Sequence, residues 1–309
     1  MISLERNISL AKYSNYKIGG LSRYFVMAKT AEELREALRE AKRKKLNVFI
    51  LGSGTNLIIP DKGFNGLTIK IAIDYITLKG SRVTVGAGVL MENLLDFALK
   101  NGLAGLAWAG GLPGTVGGAV RGNAGAFKGE TKDTIYSART LNTKTLKEKV
   151  WSQRASRFSY RSSIFKERDG EEVVLEAVFS LRKGDRKKIL AEMNDHIGYR
   201  KERQPLNYPN IGSIFKNVPL KNVPKKLHKQ FAPVIKTDPF PVVPTAYLIA
   251  EAGLKGKIHG GAMISPKHPN FIVNVSGAHA RDVKALITLV QKEVKKKFGI
   301  RIEPEVIQL

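Results

Sequence analysis

A glycine-rich stretch in the first half of the chain constrains the fold more than any other feature. Seven glycines, separated by small or apolar residues, lie between Ala107 and Phe127. Because glycine has no Cβ, the backbone there can approach a bulky ligand closely, and successive amides can form a nest that binds an anion. A turn-rich loop, or glycines that ease the packing of two elements, would explain the same composition.

A second glycine loop upstream favours the ligand interpretation. The loop Gly52-Ser53-Gly54-Thr55-Asn56-Leu57 directly follows the apolar run Val48–Leu51, so a buried strand is expected to open into a turn suited to phosphate. Neither loop is a Walker loop, because no Gly-Lys-Ser or Gly-Lys-Thr follows, and neither matches the dinucleotide G-x-G-x-x-G fingerprint. Two separate glycine loops indicate a long ligand that is held at two places.

The composition narrows the class of protein. At 309 residues the chain is long enough for about two domains. It has no cysteine, which excludes disulfides, thiolate metal sites and thiol catalysis, and its five histidines have no metal-binding spacing. The start of the chain lacks the apolar core of a signal peptide, and no apolar run reaches the roughly 18 residues of a membrane span. We expect a cytoplasmic protein with no membrane partner and no metal.

The net charge of +25 is unusual. Such an excess is found in nucleic-acid-binding proteins, in proteins attracted to membrane surfaces and in lysine-rich proteomes. The basic runs at residues 42–45 and 295–297 end predicted helices, where cations suit the helix dipole, so they are interpreted as solvated helix ends. No RNA-recognition motif, zinc finger or basic stripe with interleaved aromatics is present. Only weak, salt-sensitive retention of nucleic acid is therefore expected.

Periodicity and capping signals predict alternating strands and helices. Thr30 and Glu33 form a capping box ahead of apolar residues at helical spacing, and Gly102 and Gly299 are expected to end later helices. Residues 219–244 are rich in proline and lysine and lack clear periodicity, so a long surface loop is expected there. Strands are predicted at residues 22–28, 48–51, 67–71, 83–85, 135–141, 173–181 and 271–275, and helices at residues 34–41, 91–100, 187–199, 247–250 and 283–294.

Six short motifs follow one another in a characteristic order. They are Gly52-Ser53-Gly54-Thr55-Asn56, Pro113-Gly114-Thr115-Val116-Gly117-Gly118, Asn123-Ala124-Gly125-Ala126, Tyr160-Arg161-Ser162-Ser163-Ile164-Phe165, Gly212-Ser213-Ile214-Phe215-Lys216-Asn217 and Pro304-Glu305-Val306. Each motif alone is weak, but the ordered set is specific. Over nearly its whole length the chain resembles the UDP-N-acetylenolpyruvoylglucosamine reductase (MurB) family, the flavoenzymes of peptidoglycan precursor synthesis.

The resemblance implies an α+β fold with two domains. A FAD-binding region of the vanillyl-alcohol-oxidase (PCMH) type is expected at residues 1–184, with two α/β subdomains at about residues 1–60 and 61–184. An α+β substrate-binding domain is expected at residues 185–309, with its C-terminal strand returning to the active site. The chain lacks an evident insertion of the kind that carries a substrate-clamping tyrosine in one branch of the family, so it resembles the shorter, type II-like branch.

The resemblance also implies the reaction and the partners. The family reduces UDP-N-acetylglucosamine enolpyruvate to UDP-N-acetylmuramate, with FAD as cofactor and NADPH as a reductant that leaves before the substrate enters. The FAD is expected to be non-covalent, because the chain has no cysteine and neither glycine loop contains a histidine. A monomer without a specific nucleic-acid partner is expected. The alternatives are another reductase or oxidase of this flavin fold and, from a different class, a basic nucleic-acid-binding protein.

The expected site residues are those that match the family's motifs. Arg161 is suited to the substrate carboxylate, because a guanidinium grips a carboxylate with two parallel hydrogen bonds. Ser213 matches the proton donor and Glu305 the catalytic glutamate; without the resemblance, Ser213 would be interpreted as a turn residue. The residues expected to bind substrate are Tyr160, Arg203, Lys216 and Asn217. The residues expected to bind FAD are Gly52, Ser53, Gly54, Thr55, Asn56, Leu57, Pro113, Gly114, Thr115, Gly117, Gly118, Asn123, Gly125 and Ala126.

Two positions depart from the family's pattern. Met263 stands where a polar glutamine near the substrate is usual, so one substrate hydrogen bond is expected to be missing or to be supplied elsewhere. Arg121-Gly122 replaces the more usual apolar-methionine pair ahead of Asn123.

Overall fold

The chain forms two compact units that interleave along the sequence. A computed structural model describes residues 2–238 and 240–309; Met1 and Pro239 lie outside the described residues. Of the described residues, the first unit contains 2–8, 22–53 and 64–200, and the second unit contains 9–21, 54–63, 201–238 and 240–309. The domain boundary predicted after residue 184 falls inside the first unit, just before a long helix, and the predicted division into residues 1–184 and 185–309 stays a prediction.

Strands and helices alternate through most of the chain. The strands are β1 (Glu5–Ser9), β2 (Leu21–Ala28), β3 (Val48–Leu51), β4 (Leu57–Ile58), β5 (Phe64–Ile71), β6 (Ile76–Lys79), β7 (Arg82–Gly86), β8 (Leu103–Ala104), β9 (Gly125–Ala126), β10 (Gly129–Glu130), β11 (Ile135–Asn142), β12 (Glu148–Ser152), β13 (Glu172–Ser180), β14 (Arg182–Lys183), β15 (Val218–Pro219), β16 (Val242–Val243), β17 (Ile258–His259), β18 (Ala262–Ile264), β19 (Ile272–Asn274) and β20 (Ile307–Gln308). The α-helices are α1 (Ala31–Arg43), α2 (Met91–Lys100), α3 (Val116–Gly122), α4 (Ile164–Glu167), α5 (Arg186–Arg203), α6 (His228–Phe231), α7 (Thr245–Glu251) and α8 (Ala280–Phe298). Short 3₁₀ helices lie at Leu10–Tyr13, Ala107–Ala109, Thr131–Asp133, Leu220–Asn222, Lys225–Leu227 and Ala232–Val234.

Helix α1 shows how local signals set one element of the first unit. The Thr30 hydroxyl accepts a hydrogen bond from Glu33 N (3.0 Å), which confirms the predicted cap, while the Glu33 carboxylate accepts from Lys29 N (2.6 Å). The predicted apolar face is buried and lies in the same core as the neighbouring parallel strands β2, β5 and β3. Capping and apolar spacing were therefore sufficient to locate this helix.

An antiparallel sheet of the first unit carries the glycine-rich stretch. Its five strands run in the order β12-β11-β13-β7-β6. Helix α3, which contains the middle of the glycine-rich stretch, packs on β13, and Val116, Ala119 and Val120 are buried in the core of this unit. The packing of α3 on this sheet thus fixes the backbone in the middle of the glycine-rich stretch.

The second unit is built around helix α8. Strands β17, β18 and β19 form an antiparallel sheet, and α8 contacts β17 and β18 before it ends at Gly299, where φ is +72°. Residues 9–21 belong to this unit, and the Tyr16 hydroxyl donates to Ile272 O (2.6 Å). Strand β20 pairs in parallel with β4, so the C-terminus returns to the end of the first glycine loop.

The prediction of one long surface loop at residues 219–244 is wrong for the part of the segment that the structure describes. The segment contains β16, α6 and several 3₁₀ turns, and Phe231 is fully buried. These elements are one turn long or shorter, so they produce no helical or strand periodicity in the sequence. Among the described residues, no helix is both long and apolar enough to cross a membrane.

Candidate functional site

The two glycine loops meet inside the first unit. A Cβ placed on Gly52 would lie 2.9 Å from Thr115 Oγ1, so a residue with a side chain at position 52 would clash with the second loop. Thr115 is buried and begins α3, where its hydroxyl accepts a hydrogen bond from Gly118 N (3.4 Å). Gly52 and Thr115 are therefore close together although they are far apart in the sequence, and a long ligand held by both loops stays a prediction.

The expected nest of bare amides cannot include the start of α3. Val116 N donates to Val89 O and Gly117 N donates to Ala87 O, both at 2.9 Å, and Gly118 N bonds Thr115 as described. A Cβ on Gly117 would lie 2.9 Å from Ala87 Cβ. Gly117 is therefore needed for close packing of α3 on the segment after β7, which is a different reason from the ligand approach inferred from sequence.

Donors for a ligand are instead found in the first loop. Ser53 Oγ is buried and has no hydrogen-bond partner among the described residues. Further along the loop, the amides of Gly54, Thr55 and Asn56 donate to no acceptor within residues 2–238 and 240–309. A phosphate-bearing cofactor would satisfy such groups, because buried polar atoms are rarely left unpaired. These residues fit the expected FAD.

The side chain of Asn123 forms hydrogen bonds with neighbouring backbone atoms and is not directed to a ligand by any contact of its own. The residue adopts a left-handed conformation at the end of α3, with φ +43°, and it is fully buried. Its Nδ2 donates to Ser159 O (2.9 Å), and its Oδ1 accepts from Lys132 N (3.0 Å). Gly125 follows, where a Cβ would lie only 2.7 Å from Glu130 Cγ. In this way Asn123 fixes the hairpin that carries Tyr160.

Tyr160 and Arg161 lie at the tip of a tight hairpin in the first unit. Ser159 and Ser162 exchange two backbone hydrogen bonds of 3.0 Å, and Arg161 has φ +55°, a conformation that non-glycine residues rarely adopt. Its carbonyl accepts from Lys166 Nζ (2.9 Å). Backbone strain of this kind is common where a side chain must be aimed, which agrees with the expected role of Arg161.

Arg200 is a candidate site residue that sequence reasoning missed. Its Nε donates to Gly110 O (2.8 Å) in the glycine-rich stretch, and only 8% of the residue is exposed. Its Nη2 is buried with no partner in the described part of the chain. Burial lowers the pKa of the guanidinium, and the nearby charge of Arg161 lowers it further. Two adjacent cations near bare backbone suit a carboxylate.

In the second unit, the segments of Ser213 and Glu305 lie side by side. Glu305 N donates to Ile214 O (2.7 Å) and Lys216 N donates to Glu303 O (3.0 Å). The residue that directly follows Ser213 therefore contacts the backbone of Glu305. Gly212 precedes the serine with φ +80°. The Ser213 hydroxyl has no hydrogen bond to another described residue. The sequence prediction that these two residues are neighbours is consistent with this pairing.

Asn270, also missed from the sequence, holds the other side of the Ser213 segment. Its side-chain amide donates to Phe215 O (2.8 Å) and accepts from Phe215 N (3.0 Å), while its backbone carbonyl accepts from Ile214 N (2.8 Å). Asn270 is 3% exposed. The backbone next to Ser213 is thus fixed from both sides.

The expected substrate-binding residues of the second unit differ in the contacts that their side chains already make. Lys216 Nζ lies 3.2 Å from Glu303 Oε2. Asn217 Oδ1 accepts from Thr245 N (3.2 Å) and therefore caps α7, which leaves its amide nitrogen for a ligand. Arg203 is exposed at the end of α5, and its guanidinium lies 3.6 Å from Glu202.

Comparison with known proteins gives a consistent result over the whole chain. The FAD binding domain family matches residues 22–145, and the family described as UDP-N-acetylenolpyruvoylglucosamine reductase, C-terminal domain, matches residues 204–309. The chain is 40% identical to the reductase of that name from Caldicellulosiruptor bescii over 96% of its length and 88% of the relative's. It is 38% identical to the one from Lactobacillus delbrueckii subsp. bulgaricus, over 99% and 95%.

A solved structure agrees with these sequence matches. The reductase from Thermus caldophilus superimposes with a TM-score of 0.78 at 28% identity, covering 100% of this chain and 99% of the other. The predicted fold class, a FAD-binding region followed by a second α+β domain, is thereby confirmed.

Proposed function

The chain belongs to the UDP-N-acetylenolpyruvoylglucosamine reductase family, and from this premise we propose its reaction. It uses NADPH to reduce UDP-N-acetylglucosamine enolpyruvate to UDP-N-acetylmuramate in the cytoplasm, as a step in peptidoglycan precursor synthesis. The observation that carries the proposal is the backbone pairing of the Ser213 and Glu305 segments, Glu305 N to Ile214 O at 2.7 Å. Reduction of an enolpyruvyl ether needs a proton donor, and this pairing brings the backbone of the expected glutamate next to the segment of the expected donor.

The glycine loops of the chain would hold FAD non-covalently. Ser53 Oγ and the amides of Gly54, Thr55 and Asn56 are available for the diphosphate, and Gly114, at φ +126°, keeps the second loop free of a side chain. When bound, the flavin supplies the hydride, which adds to the terminal carbon of the enolpyruvyl group. The protein supplies position and electrostatics.

Arg161 and Arg200 would bind the substrate carboxylate. Negative charge develops on the carboxylate and the adjacent carbon after hydride addition, and a preorganised cation stabilises that charge more than it stabilises the ground state. Arg200 is fixed by its bond to Gly110 O (2.8 Å), and its Nη2 is buried without a partner among the described residues. Both features favour an anion as the missing partner.

Ser213 would donate the proton to the carbon next to the carboxylate. Its hydroxyl makes no hydrogen bond with other described residues, so it is free to turn toward substrate, while Asn270 and the Glu305 backbone hold the segment in place. Glu305 would stabilise the enol. Lys216 and Arg203 are suited to the diphosphate of the sugar nucleotide, because both present donors to phosphate oxygens, with Tyr160 and Asn217 as further substrate contacts.

The test separates the two half-reactions under anaerobic conditions. Addition of NADPH to the purified yellow protein should bleach the flavin absorbance, and subsequent addition of UDP-N-acetylglucosamine enolpyruvate should restore it. Acid precipitation should release all of the yellow colour into the supernatant, as expected for a non-covalent flavin. A protein that bleaches but is not reoxidised by this substrate would instead be a flavin reductase or oxidase with a different substrate.

A further inference from the structure

Two runs of lysine lie on the surface of the second unit. Lys225, Lys226 and Lys229 come from the segment around α6, and the run 295–297 ends α8. All six side chains are exposed. We call these six residues the lysine face. The helix dipole explains the run at the end of α8, but the other three lysines lie in a 3₁₀ turn and a four-residue helix, where the dipole is small.

A buried aromatic contact holds the two runs together. The rings of Phe231 and Phe298 lie 5.7 Å apart in an edge-to-face arrangement, and 0% and 5% of these residues are exposed. Phe231 follows Lys229 by two residues, and Phe298 directly follows Lys297, whose Nζ bonds Glu251 O. Core packing therefore brings together the two segments that carry these lysines.

The six lysines of the lysine face have no ion-pair partners among the described residues. The sequence has no acidic residue from 204 through 237. The basic end of α1 in the first unit differs, because Glu40 pairs with Arg43 and Lys44 there (2.7 and 3.5 Å). Six like charges held together repel one another, so a surface without internal partners favours an external anion.

The chemistry of the face favours a lipid surface over nucleic acid. Single-stranded nucleic acid is bound largely by stacking of bases on exposed aromatic rings. Both phenylalanines of the face are buried. We propose that the lysine face docks the enzyme peripherally on an anionic phospholipid surface. The expectation of no membrane partner rested on spanning segments, which such docking does not require.

The proposal predicts salt-dependent binding to anionic vesicles. The full-length flavoprotein should sediment with phosphatidylcholine vesicles that contain phosphatidylglycerol, but not with phosphatidylcholine alone, and raised salt should release it because exposed charges are screened. Each lysine near an anionic bilayer contributes roughly fivefold to partitioning. Replacement of Lys225→Gln, Lys226→Gln and Lys229→Gln together should therefore lower binding about a hundredfold, with an unchanged flavin spectrum.

A matched triple variant in the first unit controls for net charge. Lys42→Gln, Lys44→Gln and Lys45→Gln remove the same charge and should change vesicle binding far less than the variant of the lysine face. Equal loss in both variants, or binding that persists at high salt, would overturn the proposal. So would a lysine-face variant that binds vesicles normally but loses affinity for a DNA or RNA oligonucleotide, an outcome that would assign the face to nucleic acid.

Discussion

The two units differ in what their candidate sites are made of. The first unit uses backbone that glycines leave free of side chains, at Gly52 and Gly114, and it fixes this backbone through internal bonds such as Gly117 N to Ala87 O. The second unit uses side chains, Ser213 and Glu305, on segments that are distant in sequence and paired through the backbone. In our proposal the first arrangement holds the cofactor through the close approach of bare backbone, whereas the second carries the acid–base chemistry.

This difference predicts different consequences of substitution. A change of a loop glycine in the first unit should act through flavin occupancy and stability, because the expected ligand contacts and the fold use the same backbone. A change of a reactive side chain in the second unit should act through rate alone, because that side chain makes few contacts with the rest of the protein.

Ser213→Ala should give the largest change in rate and should leave flavin binding intact. Flavin content and reduction by NADPH should be nearly normal, while reoxidation by substrate should slow by about a hundred- to ten-thousand-fold, the usual contribution of a positioned proton donor. Stopped-flow absorbance of each half-reaction measures both rates. Ser276→Ala, an exposed serine of the same unit, is the control. Slow bleaching with normal reoxidation would reverse the assignment of Ser213.

Much of the fold and part of the site could be predicted from the sequence, because the signals are local. The cap of α1, the glycine that ends α8 and the run before Gly52 depend on residues within one turn of each other. Strand–helix alternation and the glycine loops are signals of the same kind. The ordered motifs then gave the neighbours Ser213 and Glu305, through a family resemblance and not through spacing.

The remaining features depend on contacts that no local pattern reveals. Arg200 has the spacing of any helical arginine, and its importance lies in its bond to Gly110, which is 90 residues away. Asn270 grips Phe215 across 55 residues. Gly117 was identified as a key glycine for ligand approach, yet its neighbour is Ala87, a residue that only the folded sheet brings close.

The second unit should lose stability at mildly acidic pH because it contains a buried histidine. Burial, with a smaller effect of Lys236, lowers the pKa of His268 in the second unit from 6.5 to about 4. The unfolded chain therefore takes up a proton below about pH 6.5 and the folded chain only below about 4, so stability is complete above 6.5 and falls as pH decreases through this window. The loss should total about 3 kcal/mol.

The ion pair of Glu40 and Arg43 in the first unit titrates in the same direction but at lower pH. Hydrogen bonding to Arg43 lowers the pKa of Glu40 to about 2, so this ion pair persists through the same window. Urea unfolding of the wild type and of His268→Gln at pH 7 and pH 4.5 measures the difference, and the variant should show the weaker pH dependence. The same slope in both proteins would contradict a buried neutral His268.

Gly117→Val tests the backbone site of the first unit. The new Cβ would lie 2.9 Å from Ala87 Cβ and 3.1 Å from Ala87 O, so α3 must shift, and overpacking of this kind costs about 1–3 kcal/mol. Flavin occupancy, measured by the absorbance ratio of flavin to protein, should fall with stability. In the control Gly122→Ala, at the end of the same helix, the new Cβ meets nothing within 4 Å. Normal occupancy and stability in Gly117→Val would remove this glycine from the site.

Tyr16→Phe should have the smallest effect on stability, and it tests whether residues 9–21 are an integral part of the second unit. Tyr16 is fully buried, and burial raises the pKa of its hydroxyl, which donates to Ile272 O at 2.6 Å. Loss of this bond should cost about 1 kcal/mol in urea unfolding. Because the contact joins residues 9–21 to the sheet of the second unit, amide hydrogen exchange should increase in β19 and stay unchanged in β11 and β13. Tyr136→Phe, at an exposed tyrosine of the first unit, should cost little. Equal costs for the two variants would mean that the N-terminal segment is not an integral part of the second unit, and the division of roles between the two units would then have to be redrawn.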